Sequence, residues 1–240
     1  MNVFTEENGP MNRPPVVTID GPAGAGKSTI SKLLASRLSF FYLDTGALYR
    51  AFAYRLNCEN WDGTEQKIAD ICREMKVSLK NEVGRFRVLV DGEDVSEKIR
   101  TEEIGLLASK ISAIPLLRKH LLPVQREMAA AGGVVAEGRD MGTVVFPEAE
   151  IKFFLDASVA ERANRRYLEL LEKGQPVILR DIENDLIRRD RQDRERAVAP
   201  LAVPADAVVI DSSDKSVSHV VEMMIAVIER LYPLVKPFGE

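Results

Sequence analysis

Apolar residues gather along this chain in five short, nearly continuous runs, at residues 16–20, 40–43, 133–137, 151–155 and 207–210. Runs of that length without polar alternation predict strands covered on both faces, the condition of a parallel sheet. Elsewhere the period lengthens. Residues 28–38, 47–56, 159–172 and 216–231 read as helices, the last with Val217, Val220, Val221, Met224, Ile228 and Leu231 along one stripe. Strand and helix therefore alternate, which predicts an α/β fold with a doubly wound parallel sheet between helical layers. Sites in such sheets form outside the carboxyl ends of the strands, and the polar residues at those ends are Asp20, Asp44, the segment 137–140, Asp156 and Asp211.

Two stretches break the rhythm. Residues 77–95 hold short alternating runs joined by Asn81, Gly84 and Asp91-Gly92, which predicts a small antiparallel hairpin insertion. A helix over 101–113 follows it, then another from Pro115 that Pro123 is expected to interrupt and kink. The second stretch, residues 188–196, reads Arg-Arg-Asp-Arg-Gln-Asp-Arg-Glu-Arg. As a solvated helix it would rest on the i,i+4 pairs Asp185/Arg189, Arg189/Asp193 and Asp190/Arg194, with no residue joining a core. As a mobile lid it would close cations over transferring phosphates and expel water, and beside the next motif the lid is the reading adopted.

That motif is Gly21-Pro22-Ala23-Gly24-Ala25-Gly26-Lys27-Ser28-Thr29, placed between the first strand and the first helix. It is a G-x-x-x-x-G-K-[ST] phosphate loop. Its glycines let successive backbone N–H groups face the phosphates, Lys27 meets the β/γ charge, the Ser28 hydroxyl reaches Mg²⁺, and Thr29 enters a helix whose positive end faces the anion. The dinucleotide pattern G-x-G-x-x-G fails because Thr29 occupies its last glycine.

Composition narrows the classes that remain. With 240 residues, 45% of them hydrophobic, the chain can bury a large core as one domain. A net charge of −4 supplies no general attraction to nucleic acid or to an anionic membrane. No apolar stretch approaches a membrane span, and Glu6 and Glu7 stand where a signal peptide would be positive, so residues 1–13 are expected to be a flexible leader on a cytoplasmic protein. The cysteines Cys58 and Cys72 form no metal spacing, and His120 and His219 lie far apart in helical surroundings.

Two further segments sit at strand ends. Leu43-Asp-Thr-Gly-Ala-Leu-Tyr-Arg50 offers an early helical arginine, and Ala136-Glu-Gly-Arg-Asp-Met-Gly-Thr-Val-Val-Phe-Pro147 offers carboxylates and another. With Asp91-Gly-Glu-Asp-Val-Ser-Glu-Lys-Ile-Arg100 and Arg196-Ala-Val-Ala-Pro-Leu201, these motifs resemble the bacterial cytidylate kinases over nearly the whole chain. The resemblance implies a P-loop nucleoside monophosphate kinase fold of five parallel strands: a single domain over 14–240, an acceptor-binding insertion over about 60–115 and a helical lid over about 157–200. It implies transfer of a phosphoryl group from ATP, with Mg²⁺, to CMP or dCMP in a monomeric enzyme. It further implies that Thr45, Ser109, Arg118 and Asp140 serve the acceptor's base and sugar side and that Arg50, Arg139 and Arg196 hold its phosphate. Arg189 and Asp193 of the lid would face the phosphates and ribose, with Lys27, Arg139, Arg189 and Arg196 as the catalytic charges. Glu137, where many relatives carry aspartate, stands at a strand end suited to organising Mg²⁺-bound water, and its extra methylene leaves direct metal contact or arginine pairing open. The alternatives are a P-loop kinase of another small acceptor and a GTP-driven switch. The second is disfavoured because the chain holds no N-K-x-D and no D-x-x-G.

Overall fold

The computed structural model describes residues 13–82 and 85–232. Expectations that fall on residues 1–12, on Gly84 and on 233–240 lie outside the described residues. Five parallel strands form the central sheet in the order β2 (Phe41–Asp44), β6 (Val134–Gly138), β1 (Val16–Asp20), β7 (Ile151–Asp156), β8 (Val208–Asp211). The phosphate loop therefore leaves the middle strand, with β6 and β7 on either side. All five carboxyl ends lie along one edge, which brings Asp20, Asp44, Gly138, Asp156 and Asp211 to the same rim.

Continuous apolar runs suit these strands because neighbouring residues face different layers. Val17, Ile19, Tyr42, Val135, Ile151 and Phe153 pack with α1 (Lys27–Leu38) and α8 (Val217–Leu231). Val16, Leu43, Val134 and Ala136 pack on the opposite side with α2 (Thr45–Cys58), α3 (Glu65–Glu74), α4 (Glu102–Ile111) and α5 (Pro115–Met128). Side-chain caps fix several helix starts: the Asp44 carboxylate accepts from Ala47 N, Thr101 Oγ1 from Ile104 N, and Ser158 Oγ from Glu161 N.

The insertion is a three-stranded antiparallel sheet of β3 (Val77–Glu82), β4 (Arg85–Val90) and β5 (Glu93–Asp94). Asp91 and Gly92, with φ of 50° and 89°, make the left-handed two-residue turn expected of that pair. Asn81 lies within β3 opposite Phe86 rather than in a turn, and its side-chain amide donates to the Tyr42 carbonyl at 2.9 Å, tying the insertion to β2. The sequence pattern does not predict a helix over residues 65–74, where α3 forms. Only Ile68 and Ile71 of α3 are buried, too sparse a stripe to stand out along the chain.

Pro123 does not interrupt its helix: α5 runs unbroken from Pro115 to Met128. Burial of Leu117, Leu121 and Gln125 on one face holds it together through the lost N–H. After β7 come α6 (Val159–Glu172) and α7 (Leu179–Glu195), packed against each other. Arg13, just inside the described range, donates to the Ala130 carbonyl and pairs with Glu150.

Candidate active site

The phosphate loop begins at Gly21, where φ is 150° and a Cβ would fall 2.0 Å from the Leu155 carbonyl oxygen, so only glycine lets β1 turn past β7. Gly26, at φ 90°, starts α1, whose first turn holds no acidic residue to compete with an anion. Lys27 is buried and folded back, its Nζ donating to the Pro22 carbonyl at 2.6 Å. Burial, then the nearby Arg139 guanidinium, pulls the Lys27 amine down to about 7; Glu137, Asp193 and Asp20 act in the opposite direction. Residues expected on the triphosphate and acceptor sides thus share one electrostatic environment.

Glu137, at the end of β6, is 3% exposed and accepts a hydrogen bond from the Tyr42 hydroxyl. Burial, reinforced by the Asp44 carboxylate, raises its pKa above the usual range. Thr45 Oγ1 donates to the Glu137 carbonyl at 2.7 Å and fastens α2 to β6. Ser28 and Glu137 offer hard oxygen donors suited to Mg²⁺, whereas no group of three or more His, Cys, Asp or Glu among the described residues could cage a metal alone.

Next to Glu137, the wide helical turn Met141–Val145 is moored by Asp20, which accepts the N–H groups of Met141 and Gly142 at 2.8 Å each. Asp140, 4% exposed, bonds Arg118 of α5 through one carboxylate oxygen and Arg196, just past α7, through the other at 3.2 Å. Arg196 Nε also donates to the Ala199 carbonyl at 2.6 Å. Arg139 Nε donates to Asp193 of α7 at 2.7 Å. Arg118, Arg139, Asp140, Asp193 and Arg196 therefore converge. Among the described residues no hydrogen bond joins Ser109 to them directly; its carbonyl accepts from Ser112 Oγ at 2.8 Å, and the Ser112 carbonyl accepts from Arg118 at 3.3 Å. Arg50 is exposed and stands apart, lining with Ser28, Lys32, Asp44, Phe86 and Arg100 a cleft between α1, α2 and the insertion.

The basic run contradicts the solvated reading in detail. Asp190 and Asp193 of α7 are buried, 4% and 8% exposed, and face inward to Arg162 and Arg139. The expected i,i+4 pairs give way to Asp185–Arg188 and Arg191–Glu195 on the outer face. Inward burial wins because each aspartate finds a guanidinium fork already fixed by other bonds. Arg189 is partly buried, and no partner for its Nε is found among the described residues. Arg162 was missed. A cation in the first turn of a helix opposes the helix dipole and calls for a partner, which was the available signal.

The chain also has relatives among known proteins. The sequence model described as Cytidylate kinase matches residues 17–230. The chain is similar to the cytidylate kinase of Citrifermentans bemidjiense, 50% identical over 212 residues that cover 87% of this chain and 90% of that protein. It is similar to that of Syntrophotalea carbinolica, 44% identical over 231 residues that cover 96% and 98%. It is also similar to that of Aliivibrio salmonicida, 46% identical over 216 residues that cover 90% and 96%. A phosphate loop on the central strand, an antiparallel insertion beside it and an arginine–aspartate site spanning the strand ends thus come together in a chain that belongs to the cytidylate kinase family.

Proposed function

We propose that this chain is a phosphotransferase that moves the γ-phosphoryl group of ATP to CMP or dCMP, giving ADP and CDP or dCDP. The backbone of residues 21–29 cradles the triphosphate and Lys27 meets its β/γ oxygens. The triphosphate's negative charge keeps that buried amine protonated when bound. Ser28, and Glu137 through water, would hold Mg²⁺, which would neutralise charge on the transferring phosphate. Arg50, Arg139 and Arg196 hold the acceptor phosphate, whose own oxygen is the nucleophile, so no catalytic base is needed. Arg189 and Asp193 close over phosphates and ribose and exclude water. Thr45, Ser109, Arg118 and Asp140 receive the base and sugar side. In this reading the insertion and lid belong to one domain, a monomer suffices because every site residue comes from one chain, and the cytoplasm supplies both nucleotides. No helix among the described residues is long and apolar enough to cross a membrane.

The observation that carries the reading is Asp140, a buried carboxylate presented between Arg118 and Arg196. Cytosine pairs an N4 donor with N3 and O2 acceptors, so a carboxylate beside a guanidinium matches it; uracil sets acceptor against acceptor and donor against donor. Such a mismatch costs about 1–3 kcal/mol, so kcat/KM for CMP should exceed that for UMP by roughly a hundredfold or more. Asp140→Asn weakens the grip on one arginine and lowers kcat/KM for both substrates, but its amide meets uracil O4, so the CMP:UMP ratio narrows. Equal use of both by the unsubstituted enzyme overturns the base assignment, and an unchanged ratio in the variant removes Asp140 from it.

A further inference from the structure

Among the described residues, Arg162 is the most thoroughly buried cation that the transfer chemistry leaves unused, its side chain 2% exposed. Four hydrogen bonds hold its guanidinium: Nε donates to the Ala157 carbonyl at 2.9 Å, Nη1 to the Ala23 carbonyl at 2.9 Å and to Asp190 Oδ1 at 3.1 Å, and Nη2 to Asp190 Oδ2 at 2.6 Å. Ala23 belongs to the phosphate loop and Asp190 to the lid helix α7. The contact with the loop is close, since a Cβ on Gly24 would lie 3.2 Å from the Arg162 Cβ. A lysine cannot reproduce this arrangement, because only a planar fork meets both oxygens of one carboxylate while donating elsewhere. A buried ion pair is a weak source of stability, so its use here is geometric.

Asp190 directly follows Arg189, whose surroundings include the charges of Glu102, Asp185, Arg166 and Arg50. Holding Asp190 on the loop side fixes the rotation of α7 about its own axis and therefore the direction of the next side chain. We propose that Arg162 is a positioning residue for phosphoryl transfer, gripping the phosphate loop and Asp190 together so that Arg189 is aimed at the phosphates. This rests on the reading of Arg189 as a phosphate-facing cation.

The test is a double-mutant cycle with Arg162→Lys and Arg189→Ala, reading kcat, KM for ATP and the melting temperature. Arg162→Lys should lower kcat at least about tenfold with KM for ATP changed less than about threefold, the pattern of a lost transition-state contact. In the double variant kcat should fall no more than about twofold below Arg189→Ala alone, because the group being aimed is already gone. Losses that multiply in full overturn the inference and leave the lid assignment standing. So does a normal kcat in folded Arg162→Lys. A normal kcat in Arg189→Ala overturns the lid assignment and this inference with it. Should Arg162→Lys fail to fold, Asp190→Asn, which keeps one oxygen for the fork, replaces it in the same cycle with the same expectations.

Discussion

Asp20 accepts two backbone N–H groups from the turn after β6 while lying fully inside the protein. Burial pushes its carboxyl up to about 6; the bonds from Gly142 and Met141 pull in the other direction and only partly compensate. Because the native value stands above the unfolded 3.8, the native state binds this proton more tightly. The resulting stability is fully present below pH 3.8 and is lost as the pH rises through about 6. Relative to Asp20→Asn, which cannot titrate, the unsubstituted protein should lose about 2–3 kcal/mol between pH 4 and pH 7. Urea unfolding of both proteins at several pH values reads this difference; a pH-independent gap would show that the two N–H bonds fully offset burial, and a gap that changes in the opposite direction would show that they outweigh it. Asp20 was legible in the sequence as a polar strand end. Its partners were not, because Met141 and Gly142 stand more than a hundred positions away.

At the scale of single elements, α5 and α7 depart most from what their sequences suggest. Pro123 is exposed in mid-helix, and its missing N–H leaves the Lys119 carbonyl without an intrahelical donor, yet the apolar stripe of Leu117 and Leu121 keeps the helix whole. Pro123→Ala restores that bond without disturbing the core. It should raise the unfolding free energy by about 1–2 kcal/mol, the helix gain less the extra freedom of the unfolded chain, with kcat unchanged. Denaturant unfolding checks this, and a loss of stability would mean that the proline's fixed backbone angle is needed there. In α7 the charge pattern alone allows a fully solvated helix. Asp190 and Asp193, three residues apart, share one face and turn it inward because Arg162 and Arg139 wait there.

For the whole molecule, the continuity of the core decides how its parts behave. Ile111 of α4, Ile68 of α3 and Val88 of β4, all in the inserted region, lie in one buried apolar cluster with Leu43, Phe52 and Ala136 beside the sheet. The insertion should therefore unfold with the rest. Trp61, the chain's single tryptophan, sits in that region with its indole N–H on the Thr64 carbonyl and Lys110 over its ring. Fluorescence from Trp61 and far-UV circular dichroism should give coincident unfolding curves, and Ile111→Ala should shift both together by about 2–5 kcal/mol. Separate transitions would make the insertion an independent unit. The five strands, most of the helices, the phosphate loop and the segments at the strand ends are legible along the chain, since each follows from residues near one another in it. That Arg118 and Arg196, 22 and 56 positions from Asp140, share its carboxylate, and that Arg162 joins the loop to Asp190, emerges from the packing of distant elements alone. Those pairings depend on β6 lying between β2 and β1 and on where α5, α6 and α7 then pack. Local periodicity carries no information about that order, because strands buried on both faces look alike wherever they stand in the sheet.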